Sequence, residues 1–142
     1  MRPLLIWTSL FLIVASSCKK SQQSDFPNVN VEEYIYLNNP SSFDLDSPGG
    51  WIYHSGGVKG LVVIRRFVNG GQDDFAVFDR ACPEHFDEEC SRLEVESDNT
   101  FLKCTCNGEK YLLFDGSPGD GASLGMKQYG TNYDGSVLRV FN

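Results

Sequence analysis

The sequence is short of positive charge. Twelve Lys and Arg stand against nineteen Asp and Glu in 142 residues. A chain with no basic cluster cannot neutralise a run of phosphates, so nucleic acid is excluded as a partner. Helical periodicity is missing as well: no stretch longer than ten residues repeats its apolar positions at the helical period. Long apolar runs are confined to the extreme N-terminus, and even that run is too short to span a bilayer. There is no zinc-protease, Walker or nucleophile-elbow motif. The glycines Gly56, Gly57 and Gly60 fall between two expected strands with no helix after them, so they read as turn chemistry and not as a phosphate cradle.

The N-terminal run has its own logic. Arg2 gives a positive start, residues 4–7 and 10–14 are apolar, and the small residues Ala15, Ser16 and Ser17 lead directly to Cys18. This pattern predicts a secretory signal peptide over residues 1–17. The junction resembles a bacterial lipobox, which implies that Cys18 becomes the new N-terminus and carries the lipid. Several acyl chains on one residue would anchor the protein to a membrane without a spanning helix. The expected location is the bacterial cell envelope, lipid-anchored on the periplasmic side or at the cell surface. Residues 18–28 form the lipidated cysteine and a polar tether with no apolar period to bury. Residues 29–142 suffice for one domain. Loss of Arg2 with the leader leaves 11 basic and 19 acidic residues, a net charge of −8.

The domain reads as all-β. Short strands are expected at 31–37, 51–53, 60–67, 75–79, 92–96, 101–104, 110–114, 126–131 and 137–141. Fourteen glycines and many aromatics fit that class. Asn69-Gly70-Gly71 is a hairpin signal joining the third and fourth strands. Asp73-Asp74 falls in that turn, and Asp98-Asn99 and Asp134-Gly135 supply two others. The aromatics Tyr34, Trp51, Tyr53, Phe67, Phe75 and Phe78 are expected in the core. His54 reads as an exposed turn residue, and Asp87-Glu88-Glu89 as a solvated acidic loop.

Four cysteines remain in the domain: Cys82, Cys90, Cys104 and Cys106. In an exported chain an even number is a disulfide framework by default, and four allow three pairings. A metal reading competes with it. Cys82-x-x-His85 and Cys104-x-Cys106 supply three thiolates and one imidazole, a set that suits structural zinc or a cluster held by three cysteines and one histidine.

From Ala76 onward the chain resembles a Rieske iron–sulfur domain. The resemblance lies in Cys82 within Ala81-Cys82-Pro83-Glu84-His85 and Cys104 within Cys104-Thr105-Cys106-Asn107-Gly108. It continues through Gly108, Tyr111, Asp115-Gly116, Gly121-Ala122-Ser123, Met126, Tyr129, and the closing hairpin with Asp134-Gly135, Leu138 and Val140. It implies an antiparallel β-sandwich with a small cysteine-bearing loop subdomain. It also implies an electron-transfer or metal-binding role with a redox or envelope protein partner. Cys82 and Cys104 would ligate a 2Fe-2S cluster. The family's two histidine positions, however, are Glu84 and Asn107, with His85 one residue late. Neutral imidazoles on one iron set a Rieske centre apart from an all-thiolate cluster. Glu84, His85, Cys106 and Asn107 are the residues left to complete a metal set. The resemblance further implies disulfide candidates: Cys90 and Cys106 lie nearest the bridge found in some family members, and Cys82 and Cys104 would meet if no iron separates them. The alternative function is a cluster-free structural or binding module locked by disulfides.

Overall fold

A computed structural model describes residues 25–142; the expected leader, Cys18 and most of the tether lie outside these residues. Nine strands run through them: β1 (Glu32–Tyr36), β2 (Trp51–His54), β3 (Leu61–Arg65), β4 (Phe75–Asp79), β5 (Leu93–Val95), β6 (Phe101–Cys104), β7 (Lys110–Leu112), β8 (Gln128–Tyr133) and β9 (Val137–Phe141). All named pairings are antiparallel. Six strands form one sheet in the order β1-β9-β8-β4-β3-β2, and three form another, β5-β6-β7.

The pattern of side chains explains this layering. β3 and β4 are buried along their whole length. Leu61, Val63, Phe75 and Val77 enter one core with Ile35, Tyr129, Leu138 and Val140. Val62, Ile64, Ala76 and Phe78 enter a second core with Leu93, Leu102, Tyr111 and Leu113 of the small sheet and its flank. A strand covered on both faces needs an unbroken apolar run, and residues 61–64 and 75–78 supply it. β9 is covered on one face and alternates, with Leu138 and Val140 inward and Arg139 outward. β8 joins the two halves of the large sheet, pairing with β4 at its start and with β9 further along.

Several sequence expectations need correction. Of the six aromatics expected inside, only Phe75 and Phe78 are fully buried; Trp51 is half-buried. Tyr34 and Tyr53 alternate outward on one-face-covered strands, and Phe67 stands beyond the end of β3; all three are exposed. Tyr53 keeps a task there: its hydroxyl accepts the Val95 amide at 2.9 Å and its ring lies 3.5 Å from the Arg80 guanidinium carbon. Tyr111 and Tyr129 are the buried tyrosines. A 3₁₀ turn at Pro40–Asp46, absent from the strand pattern, places Leu45 in the first core. Asp74 lies in the turn between β3 and β4, as expected, and is buried there. Its carboxylate accepts the amides of Asn69 and Gly70 and meets Arg65 Nη2 at 3.4 Å. Burial pushes the Asp74 carboxyl up, but those amides and the guanidinium outweigh it and hold the group below its ordinary value.

The end of β4 carries the frame of the cysteine loops. Asp79 is fully buried, and its carboxylate accepts the amides of Val58, Lys59 and Ala81 and the Tyr129 hydroxyl. The glycine turn is what lets it do so. Gly57 has φ +66°, and a Cβ there would stand 2.3 Å from Asp79 Oδ2.

Candidate functional site

Three loops converge at the edge of the second core: one from β4 to β5, one from β6 to β7, and one from β7 to β8. The first descends through successive turns, with the amides of His85, Glu88 and Ser91 donating to the carbonyls of Cys82, His85 and Glu88. Its start is pinned by the Cys82 amide, which donates to Ser91 Oγ at 2.9 Å. The second loop closes through the Gly108 amide onto the Cys104 carbonyl, and Gly108 takes φ +84°. The two are tied by Thr105, whose amide and hydroxyl donate to the Arg92 carbonyl and whose hydroxyl also reaches the Cys90 carbonyl.

The cysteines are joined in two bridges between these loops. Cys82 pairs with Cys104 at a Cα separation of 5.7 Å, and Cys90 with Cys106 at 5.2 Å. They sit in different surroundings. Cys82 and Cys104 are 0% and 1% exposed and belong to the second core. Cys90 is exposed and Cys106 half-buried.

Glu84 and Asn107, at the two histidine positions of the resemblance, are both engaged. The exposed Glu84 carboxylate accepts the amides of Ser123 and Leu124 at 2.7 and 3.0 Å, clasping the third loop onto the first. Asn107 Oδ1 accepts the Glu109 amide at 3.1 Å, and its Nδ2 stands 2.7 Å from His85 Nε2. His85 Nδ1 meets Glu88 Oε1 at 2.8 Å, while Glu109 Oε1 lies 3.7 Å from Nε2. The Glu88 hydrogen bond, followed by the charges of Glu88, Glu109 and Glu84, holds the His85 imidazole above its ordinary pKa against a smaller desolvation effect. Glu109 also accepts the Tyr111 hydroxyl at 3.0 Å; burial first, then this carboxylate, drives the Tyr111 phenol far above its ordinary value.

This donor set does not fit a Rieske cluster. The two cysteines that would hold one iron are bonded to each other, and a disulfide sulfur is not a thiolate ligand. The two positions that would hold the other iron offer a carboxylate bound to two amides and an amide side chain that closes its own turn. The zinc constellation is not assembled either, since its three cysteines are all in disulfides. The sulfurs of Cys82, Cys104 and Cys106 lie within 4.8 Å of one another, but His85 does not join that group. A second group, Glu88, Cys90 and Cys106, shares the Cys106 sulfur. His54 ends β2, half-buried, 3.9 Å from Glu33, away from the loops. The clasp by Glu84 has no local sequence signal, because it joins residues 39 and 40 apart through the fold.

Comparison with solved structures agrees with this architecture. The plasma membrane Rieske protein PetC3 of the cyanobacterium Synechocystis PCC 6803 superposes with a TM-score of 0.52 at 18% identity, over 80% of this chain and 98% of that one. The ferredoxin of carbazole 1,9a-dioxygenase from Nocardioides aromaticivorans IC177 gives 0.46 at 14% identity, over 80% and 97%. NirD of E. coli gives 0.44 at 12%, over 79% and 98%. No protein-family model matches the sequence, and no curated protein matches it. Two antiparallel sheets, the three-loop edge and the superposition on a Rieske protein together give this chain a Rieske-like fold.

Proposed function

We propose that this protein is a cluster-free, Rieske-like module of the bacterial cell envelope, held by two disulfides and carried on a lipid anchor at Cys18. The observation that carries the reading is the Cys82–Cys104 bridge, which takes up both cysteines of the resemblance inside the second core. Glu84 and Asn107 support it: each has a structural partner where a ligand would need a free donor. Paired cysteines also suit an exported protein, in keeping with the leader read from residues 1–17. The module acts by binding an envelope partner, with no iron in its loops.

A second reading, an electron-transfer or metal-binding carrier, draws on two observations. One is the superposition on a Rieske protein. The other is the gathering of the Cys82, Cys104 and Cys106 sulfurs within 4.8 Å. In that reading the ligands are Cys82 and Cys104, completed by Glu84, His85, Cys106 or Asn107, around a 2Fe-2S cluster or zinc, with a redox partner.

The two separate on the mature protein purified from an oxidising compartment. Its visible spectrum, metal content and free-thiol count are recorded together. The cluster-free reading expects a colourless protein with neither iron nor zinc and no thiol among residues 82–106. Brown colour with stoichiometric iron, lost when Cys82 or Cys104 is changed to Ser, sinks it.

A further inference from the structure

The two disulfides differ in access and come within 4.8 Å of each other at one sulfur. Cys82 and Cys104 are enclosed by Phe78, Leu93, Leu102, Tyr111 and Met126, and no outside thiol reaches them in the folded chain. Cys90 is exposed. Cys106 alone of the four belongs to both sulfur groups: it lies within 4.8 Å of Cys82 and Cys104, and it is bonded to Cys90. Glu88 Oε2 stands 3.4 Å from the Cys90 sulfur and shares one group with both sulfurs of the outer bridge, so exposure, and not charge, marks Cys90 as the end open to attack. An open hollow of about 670 Å³ lies on the Cys106 side of that bridge, lined by Glu94, Glu96, Lys103, Thr105, Cys106 and Asn107.

We infer that the loops form a nested thiol–disulfide exchange site for a dithiol protein, with Cys106 as the relay between an outer and a buried disulfide. This goes beyond a binding role, and it rests on the cluster-free reading. In the first step a thiolate of the partner attacks the Cys90 sulfur. A mixed disulfide forms, the Cys90–Cys106 bond breaks, and Cys106 leaves as thiolate. The Cys106 thiolate then attacks the Cys82 sulfur, forming Cys82–Cys106 and expelling Cys104 as thiolate, which takes a proton. The partner's second thiol attacks its own mixed-disulfide sulfur and releases Cys90 as thiol. The partner dithiol has become a disulfide, losing two electrons and two protons. This chain has gained both, as the thiols of Cys90 and Cys104, and keeps one bridge between its loops. Attack on Cys82 retains that inter-loop link, whereas a Cys104–Cys106 bond would join residues of one loop.

The test uses the mature oxidised protein and dithiothreitol as the dithiol. Metal content and spectrum are recorded first, so that bound iron, which overturns the cluster-free reading, is distinguished from failure of exchange. Samples are then reduced under native conditions, alkylated at successive times and mapped by mass spectrometry. The expected intermediate carries alkyl groups on Cys90 and Cys104 and a Cys82–Cys106 bridge. In the double variant Cys90→Ser/Cys106→Ser, the buried bridge is expected to resist the same treatment while circular dichroism remains native. The proposal is overturned if Cys82–Cys104 survives intact after complete native-state reduction of Cys90–Cys106. It is equally overturned if the buried bridge opens as fast in the double variant as in the parent. Where the double variant does not fold, trapping in the parent protein decides.

Discussion

Glu84 stands where the Rieske resemblance would place a ligand, and it does a structural task there. Its carboxylate sits in the first cysteine loop and receives two amides of the third, across 39 and 40 residues of sequence. Glu84→Ala removes the one oxygen that accepts both amides, at an exposed site where water replaces it, so the expected cost is about 1 kcal/mol. Glu84→Gln keeps one acceptor oxygen and is expected to cost less; urea unfolding of the two variants checks the order. His85 carries a separate, pH-dependent contribution. Nδ1 meets Glu88 Oε1 at 2.8 Å, and Nε2 stands 2.7 Å from Asn107 Nδ2 and 3.7 Å from Glu109 Oε1. Its pKa is raised above 6.5, so folding favours the charged form. The stabilisation is therefore complete below the unfolded value and is lost as pH rises through the folded one. An NMR titration is expected to place the His85 midpoint above 6.5, and Glu88→Gln is expected to bring it down. A ring held by zinc would not titrate this way.

The strands of this fold were easier to foresee than the loops between them. Residues 75–79, 101–104 and 137–141 were expected as strands and form β4, β6 and β9 end to end. Their apolar patterns are local, and local pattern is what sequence displays. β3 was expected to run to residue 67 but stops at Arg65, because the amides of Arg66 and Phe67 both turn to the Asp74 carbonyl. β8 starts two residues late: the Met126 amide is taken by the Gly116 carbonyl, deep in the third loop. In the site the cysteine positions were legible, while the task of Glu84 was not, since a side-chain bond between loops 39 and 40 residues apart leaves no periodic trace. The bridges themselves give an element-level prediction. Cys90→Ala/Cys106→Ala frees a link between residues 16 apart and is expected to cost about 3 kcal/mol through chain entropy. Cys82→Ala/Cys104→Ala frees a link between residues 22 apart and also opens space among Phe78, Leu102 and Tyr111, so its cost should be the larger. Urea midpoints of the two double variants, with and without a reducing agent, measure the difference.

The attachment of the molecule to its surroundings turns on charge and one cysteine. Among the described residues no helix is long and apolar enough to cross a membrane. The chain from residue 18 carries a net charge of −8, which is repelled by anionic headgroups. Lys19 and Lys20 are too few to offset it, since polybasic recognition takes clusters of about four to eight residues. The proposed anchor acts through acyl chains on Cys18, which bind by apolar burial and are insensitive to salt. Fractionation of expressing cells tests this. The parent protein is expected in the membrane fraction, retained through a high-salt wash, released by detergent, and labelled by a fatty-acid analogue. Cys18→Ser is expected to lose the label. If its leader is still cut, it should move wholly to the soluble fraction. A Cys18→Ser protein that stays membrane-bound through salt while unlabelled would show that another part of the chain holds it, and would remove the lipid from the proposed function.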